Sequence, residues 1–175
     1  MEVLPAQNSA TTRPPLLLYH ATRRILNPDE LVKSQGLPSL YPNACTALDP
    51  FRPSNMPLRV NGVFAAESIV AATAYLRAEK VPIEEINVYE VTMSGSHRGP
   101  FAVISRIELR FSAGEPYQAL VDEYWKPSLD WMFWEHFGPE FTVIQQVPTA
   151  STPEAYAFSI RYQNPNGDFE QAQRI

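Results

Sequence analysis

Glycine is scarce in this sequence, with 7 among 175 residues, about half its usual share. Neither a GxGxxG nor a GxxxxGKS/T pattern occurs, which excludes nucleotide sites whose phosphates rest in a glycine loop. Cysteine is limited to Cys45, which rules out an internal disulfide framework and fits a reducing compartment. The three histidines, His20, His97 and His136, form no pair at ligand spacing, so no metal site is expected. Positive charge is in deficit too: 14 basic against 19 acidic residues give a net charge of −5. That argues against a broad nucleic-acid surface, although a local basic pocket stays open. No apolar run is long enough for a transmembrane helix, and the opening MEVLPAQNSATTRPP lacks the charged region and apolar stretch of a secretory signal. The expected compartment is cytoplasmic, either the producing cell's or that of a cell into which the protein is delivered, with no membrane partner.

What is present is proline, 17 residues and about twice the usual share, together with 45% hydrophobic and 11% aromatic residues. This composition describes a folded chain, and the length suits one domain with a full hydrophobic core. Residues 1–15 read as a polar lead-in and 164–175 as a polar tail, around a single domain at 16–163. Leu16 to Ala21 reads as a buried strand behind Pro14-Pro15. Asn27, Pro28, Asp29 and Glu30, with Gly36 as terminator, carry the punctuation of a short helix. Five prolines between Leu37 and Pro57 forbid a long helix or a central strand there. Val60–Ala66 reads as a strand, Ser68 to about Glu79 as a helix, and Ile86–Met93 as a strand with one buried face. Gly99–Leu109 is ambiguous and leans toward strand at Ala102-Val103-Ile104. Pro116–Trp125 reads as a helix, and Trp131–Phe137 as a short aromatic helix closed by Gly138. Phe141–Val147 and Tyr156–Tyr162 read as strands.

Three pieces of this chain form a chemical constellation. The first is Tyr19-His20-Ala21-Thr22, at the end of the opening strand. The second is Gly62-Val63-Phe64-Ala65-Ala66-Glu67, followed by a helix that carries Tyr75, thirteen positions after Gly62. The third is Glu140, immediately before Phe141-Thr142-Val143-Ile144. Taken singly, each has an ordinary structural reading. Their order and spacing resemble the ADP-ribosyltransferase family, in its histidine–tyrosine–glutamate branch shared by diphtheria-type toxins and poly(ADP-ribose) polymerases. The resemblance implies an α+β fold of split, strongly twisted, mostly antiparallel β-sheets with surrounding helices.

It also implies an NAD-dependent transferase that moves ADP-ribose to a macromolecular acceptor and releases nicotinamide, with hydrolysis as a side reaction. NAD would be the substrate, and no metal would be needed. The acceptor is expected to be a protein before a nucleic acid, without excluding the latter. Cleaving the nicotinamide–ribose bond builds positive charge on the ribose, and a carboxylate stabilises such an oxocarbenium-like state. On this resemblance Glu140 supplies the carboxylate, Tyr75 a flat face for nicotinamide, and His20 a donor to the adenosine ribose. The Ala21 backbone would hold the carboxamide, and Thr22 would add a hydrogen bond. Glu140 is favoured because a strand-start carboxylate is held rigidly. Glu135, which aromatic neighbours would bury, is its rival for the catalytic position, and Glu123 stays in play.

The aromatic group Tyr124, Trp125, Trp131, Phe133, Trp134 and Phe137 reads as core, with a ligand platform as the lesser option. Arg23-Arg24 and His97-Arg98 are candidates for phosphates, and otherwise solvated turn residues. On the same fold an NAD glycohydrolase and an RNA 2′-phosphotransferase-like enzyme are alternatives. A non-catalytic protein-binding module is a third reading. A cysteine hydrolase built on Cys45 lacks both a family signature and an evident helix N-terminus to activate the thiol.

Overall fold

The apolar run after Pro15 becomes strand β1 (Leu18–Thr22), the middle of the sheet, in the computed structural model, which describes residues 16–36, 41–128 and 131–149. The expected lead-in, the strand at Tyr156–Tyr162 and the polar tail lie outside the described residues. The remaining strands are β2 (Leu31–Lys33), β3 (Val63–Ala66), β4 (Asn87–Thr92), β5 (His97–Pro100), β6 (Trp134–Gly138) and β7 (Glu140–Val147). Among the described residues they form one antiparallel sheet of seven strands, not closed into a barrel, in the order β2-β7-β4-β1-β3-β6-β5. With the four helices of the described residues packed on it, the fold is α+β.

The centre of the sheet is its thinnest join. β1 and β4 share five registered pairs, from Leu18↔Val91 to Thr22↔Asn87, whereas β1 and β3 share only Tyr19↔Ala66. The two larger buried clusters hold the elements, and one of them crosses this join. Leu18, Val63, Ala65, Tyr89, Val91, Phe141 and Val143 belong to the cluster spanning β1, β3, β4 and β7. Val103, Ile107, Tyr124, Trp125 and Phe137 anchor the other, where helices pack on β5 and β6.

The helices are α1 (Pro42–Leu48), α2 (Ile69–Ala78), α3 (Phe101–Ala113) and α4 (Gln118–Trp125). α2 begins where its cap predicts, with Ser68 accepting from the Ala71 N–H at 3.2 Å. Within the described part of the proline-rich stretch only the short α1 fits, starting on Pro42 and running directly into a 3-10 turn that contains Pro50.

Three expectations fail, each for a local reason. The helix expected after Asn27 is instead a tight turn leading into β2. The Asn27 N–H donates to Glu30 Oε2 at 2.9 Å, the contact a capping box would make, but Asp29 adopts a φ of 63° and closes the turn. Asp29 N–H then donates to the Val143 carbonyl at 2.9 Å, and Val143 N–H to Glu30 at 3.0 Å, which fastens the segment to β7. Residues 101–113 form α3 in place of a strand. The buried Phe101, Ile104 and Ile107 recur every third position, so packing overrides the β-branched preference of Val103-Ile104. Trp134–Gly138 is strand β6, with all five residues buried, where an aromatic helix was expected. A short aromatic run buried on both faces does not reveal its period.

Candidate active site in the cleft at the sheet join

The cleft beside the β1–β3 join has a volume of about 340 Å³. β1 contributes His20, Ala21 and Thr22, and α2 contributes Tyr75. The His20 ring is held by a 2.7 Å bond between Nδ1 and the Phe64 carbonyl and rests 4.6 Å from the Phe141 ring. A carbonyl only accepts, so the ring proton sits on Nδ1. Burial lowers the His20 pKa, against the raising effect of that hydrogen bond, and nearby Arg24 lowers it further. The neutral ring therefore offers Nε2 as an acceptor, not as the donor that the resemblance implied.

Tyr75 lies between Phe101, edge-on at 4.9 Å, and Tyr41 at 5.8 Å. Its hydroxyl donates to Glu135 Oε2 at 3.1 Å. Burial pushes the phenol pKa well above its usual value, and the Glu135 carboxylate pushes it further, so Tyr75 stays protonated. The cleft thus holds His20, Tyr75 and Glu135 together, although they stand 55 and 60 positions apart in the chain.

Glu135 is the second residue of β6, paired to Ala66 on one side and Gly99 on the other. Its side chain is 1% exposed. Oε1 accepts from Arg59 Nη1 at 3.0 Å and from the Tyr124 hydroxyl at 2.5 Å, while Arg59 also donates to the Tyr124 oxygen. Arg59 rises from the 3-10 turn Arg59–Asn61 and is 4% exposed. Its guanidinium lies over the rings of Phe64, Tyr124 and Phe137, at 4.8, 5.0 and 5.3 Å from their centres. Burial works against the Arg59 charge, but Tyr124 and Glu135 outweigh it and raise the pKa well above the ordinary value. Two glycines make room for this assembly. A Cβ on Gly62 would fall 1.8 Å from the Phe137 ring, and one on Gly99 would fall 2.4 Å from the Tyr124 ring.

The other sequence candidates stand elsewhere. Glu140, the preferred carboxylate, opens β7 and pairs with Lys33 at 3.4 Å, outside the residues lining the cleft. Its strand-start position is rigid but belongs to the β2–β7 edge. Glu123 accepts from Ser128 and, at 2.7 Å, from Trp131 Nε1, also away from the cleft. Of the four basic candidates only Arg24 lines the cleft. Arg23 pairs with Glu85 at 2.7 Å, His97 bonds the Tyr124 carbonyl at 2.8 Å, and Arg98 holds Glu67 from the edge strand β5. Tyr124, Trp125, Trp131, Trp134 and Phe137 are buried in the core, as their composition suggested. Cys45 is half-buried in α1.

Sequence reasoning missed Arg59 and the hydroxyl of Tyr124. An arginine three positions before the motif glycine carries no sign that it will be buried. The one legible hint was the aromatic density around Glu135, which predicts burial and hence a need for partners. No family model, curated protein or solved structure matches the chain. Among the described residues, no group of His, Cys, Asp and Glu is suited to a metal, and no helix is long and apolar enough to cross a membrane.

Proposed function

We propose that this chain is an NAD-dependent ADP-ribosyltransferase whose reacting carboxylate is Glu135. The observation that carries the reading is the meeting of His20, Tyr75 and Glu135 in one cleft, with the Tyr75 hydroxyl on the carboxylate. When the nicotinamide–ribose bond breaks, nicotinamide leaves with the electron pair and positive charge develops on the ribose. A carboxylate fixed in a low-dielectric cleft stabilises that charge more than water does.

In this assignment Glu135 Oε2 accepts a hydrogen bond from a ribose hydroxyl. Tyr75 and the apolar wall around Phe64 receive the flat nicotinamide ring. His20 Nε2 accepts from the adenosine ribose, and the Ala21 backbone holds the carboxamide, the latter as the family resemblance implies. The acceptor's nucleophilic atom then bonds to the anomeric carbon and loses a proton. Water in its place gives hydrolysis. The positions of the basic residues favour transferase over RNA 2′-phosphotransferase chemistry, since three of the four candidates for an RNA phosphate stand away from the cleft.

The test is nicotinamide release from labelled NAD, with and without a cell lysate as a source of acceptor. Glu135→Gln keeps the shape of the side chain and is expected to lose roughly 100-fold or more in rate. Glu140→Gln is expected to keep the parental rate. A fully active Glu135→Gln protein would remove Glu135 from the chemistry. If the parent chain releases no nicotinamide under any of these conditions, the enzymatic reading fails and the binding-module reading takes its place.

A further inference from the structure

A carboxylate has acceptor room for about four hydrogen bonds. Glu135 Oε1 takes two, from Arg59 and Tyr124, and Oε2 takes one, from Tyr75. One acceptor position is left, on the oxygen that Tyr75 shares. The pair that fills Oε1 is a poor investment in stability. Removing a guanidinium from water is costly, and buried ion pairs are often replaced by apolar residues with no loss of stability. Here the cost is higher still, because Arg59 Nε is buried without a hydrogen-bond partner. Two positions are also confined to glycine so that the rings around the guanidinium can seat. Such an arrangement at the floor of a cleft has a direct chemical use: it fixes which oxygen of Glu135 faces a ligand.

Resting on the ADP-ribosyltransferase reading, we infer that Arg59 is the positioning residue for Glu135. Together with Tyr124 it saturates Oε1 and locks the carboxyl plane, so that the carboxylate meets its substrate through Oε2 alone. Neither residue needs to touch NAD. A carboxylate free to rotate would present the ribose with either oxygen at variable angles, and misplacement on that scale is costly in rate.

The experiment measures kcat and KM for NAD in nicotinamide release, per folded molecule, for Tyr124→Phe, Arg59→Lys and Arg59→Met. Tyr124→Phe keeps the ring against Gly99 and loses only the hydroxyl. Its kcat is expected to fall roughly 10-fold with KM unchanged. Arg59→Met is expected to fall roughly 100-fold, and Arg59→Lys, which retains one charged donor, to recover part of that loss. If Arg59→Met does not fold, the other two variants decide. A purely structural role would lower the melting midpoint and the folded fraction and leave kcat per folded molecule alone. Parental kcat in both Tyr124→Phe and Arg59→Lys would overturn the inference, as would a change confined to KM. An active parent with unaffected variants removes this inference and leaves the transferase reading standing. An inactive parent removes both.

Discussion

At the scale of single residues, the glycine shortage acquires a precise location. The motif glycine Gly62 has an ordinary φ of −102°, so its smallness serves close approach and not a special backbone conformation. The Phe137 ring occupies the space where a Cβ would stand, 1.8 Å away, and Phe137 is one wall around the Arg59 guanidinium. Gly62→Ala is therefore expected to displace that ring, cost about 1–3 kcal/mol through overpacking, and reduce nicotinamide release along with stability. Gly114→Ala is the contrast. Nothing lies within 4 Å of a Cβ there, and only the φ of 70° is strained, so it should cost stability without changing the rate per folded molecule. Thermal melting and steady-state rates on the two variants separate packing at the site from general backbone strain. Equal rate losses in both would refute the assigned role of Gly62. His20, Gly62 and Tyr75 were legible in the sequence because each stands in or beside a regular element with clear hydrophobic pattern. Glu135 was only half legible. Its aromatic neighbours pointed to burial, but nothing in one dimension distinguished it from Glu140, whose strand-start position is equally regular and lies on the other side of β1 in the sheet.

At the scale of elements, β6 is the informative case. Read as a helix, the run from Trp131 to Phe137 scatters its side chains around an axis. As a strand it sends Glu135 and Phe137 to one face and Trp134 and His136 to the other. On the first face Glu135 lines the cleft and Phe137 packs into the helical core; the second ties β6 to β3 and β5. There, Arg98 lies 3.6 Å over the Trp134 ring and donates to both oxygens of Glu67, and His136 Nε2 meets Glu67 Oε1 at 3.0 Å. Burial raises the Glu67 pKa, but the hydrogen bonds from His136 and Arg98 prevail and bring it to about 2. Because the folded pKa lies below the unfolded value near 4.5, the stabilisation is present above that value and is lost as pH falls toward 2. Allowing for solvent screening at this half-buried site, the contribution is roughly 1–2 kcal/mol. Melting curves between neutral pH and pH 2 should show a steeper loss for the parent than for Glu67→Gln. Parallel curves would mean that the Glu67 contacts contribute nothing to stability. The β4, α2, α4 and β7 elements followed from period and punctuation because their local signals agree with their packing. β2, α3 and β6 did not. In each of them tertiary contacts, to β7, to the helical core and to both neighbouring strands, decide between local options of similar energy.

For the whole molecule, the central fact is that the sheet is thinnest where the cleft lies. β1 carries His20 and β6 carries Glu135, and between them β1 and β3 share only the Tyr19↔Ala66 pair, with Val63 and Ala65 of β3 packed into the core of the β1 side. A weakly paired join exchanges its amide hydrogens through local opening more readily than the five-pair β1–β4 ladder, so the amides of β1 and β3 that face each other should exchange fastest among the central strands. A ligand in the cleft contacts both sides at once and must suppress that opening. NAD at about 100 times its dissociation constant would stabilise the fold by about 2.7 kcal/mol, and the slowed exchange should appear in β1 and β3 together. Hydrogen exchange followed by mass spectrometry, with and without NAD, reads this directly. Glu135→Gln provides the separation of binding from chemistry: it retains the cleft walls, so NAD should still protect both strands while nicotinamide release is lost. Protection confined to β1 would place NAD on one side of the join and detach Glu135 from the site. Joint protection with loss of turnover would instead make the cleft beside the β1–β3 join the feature that both binds the substrate and brings the carboxylate to it.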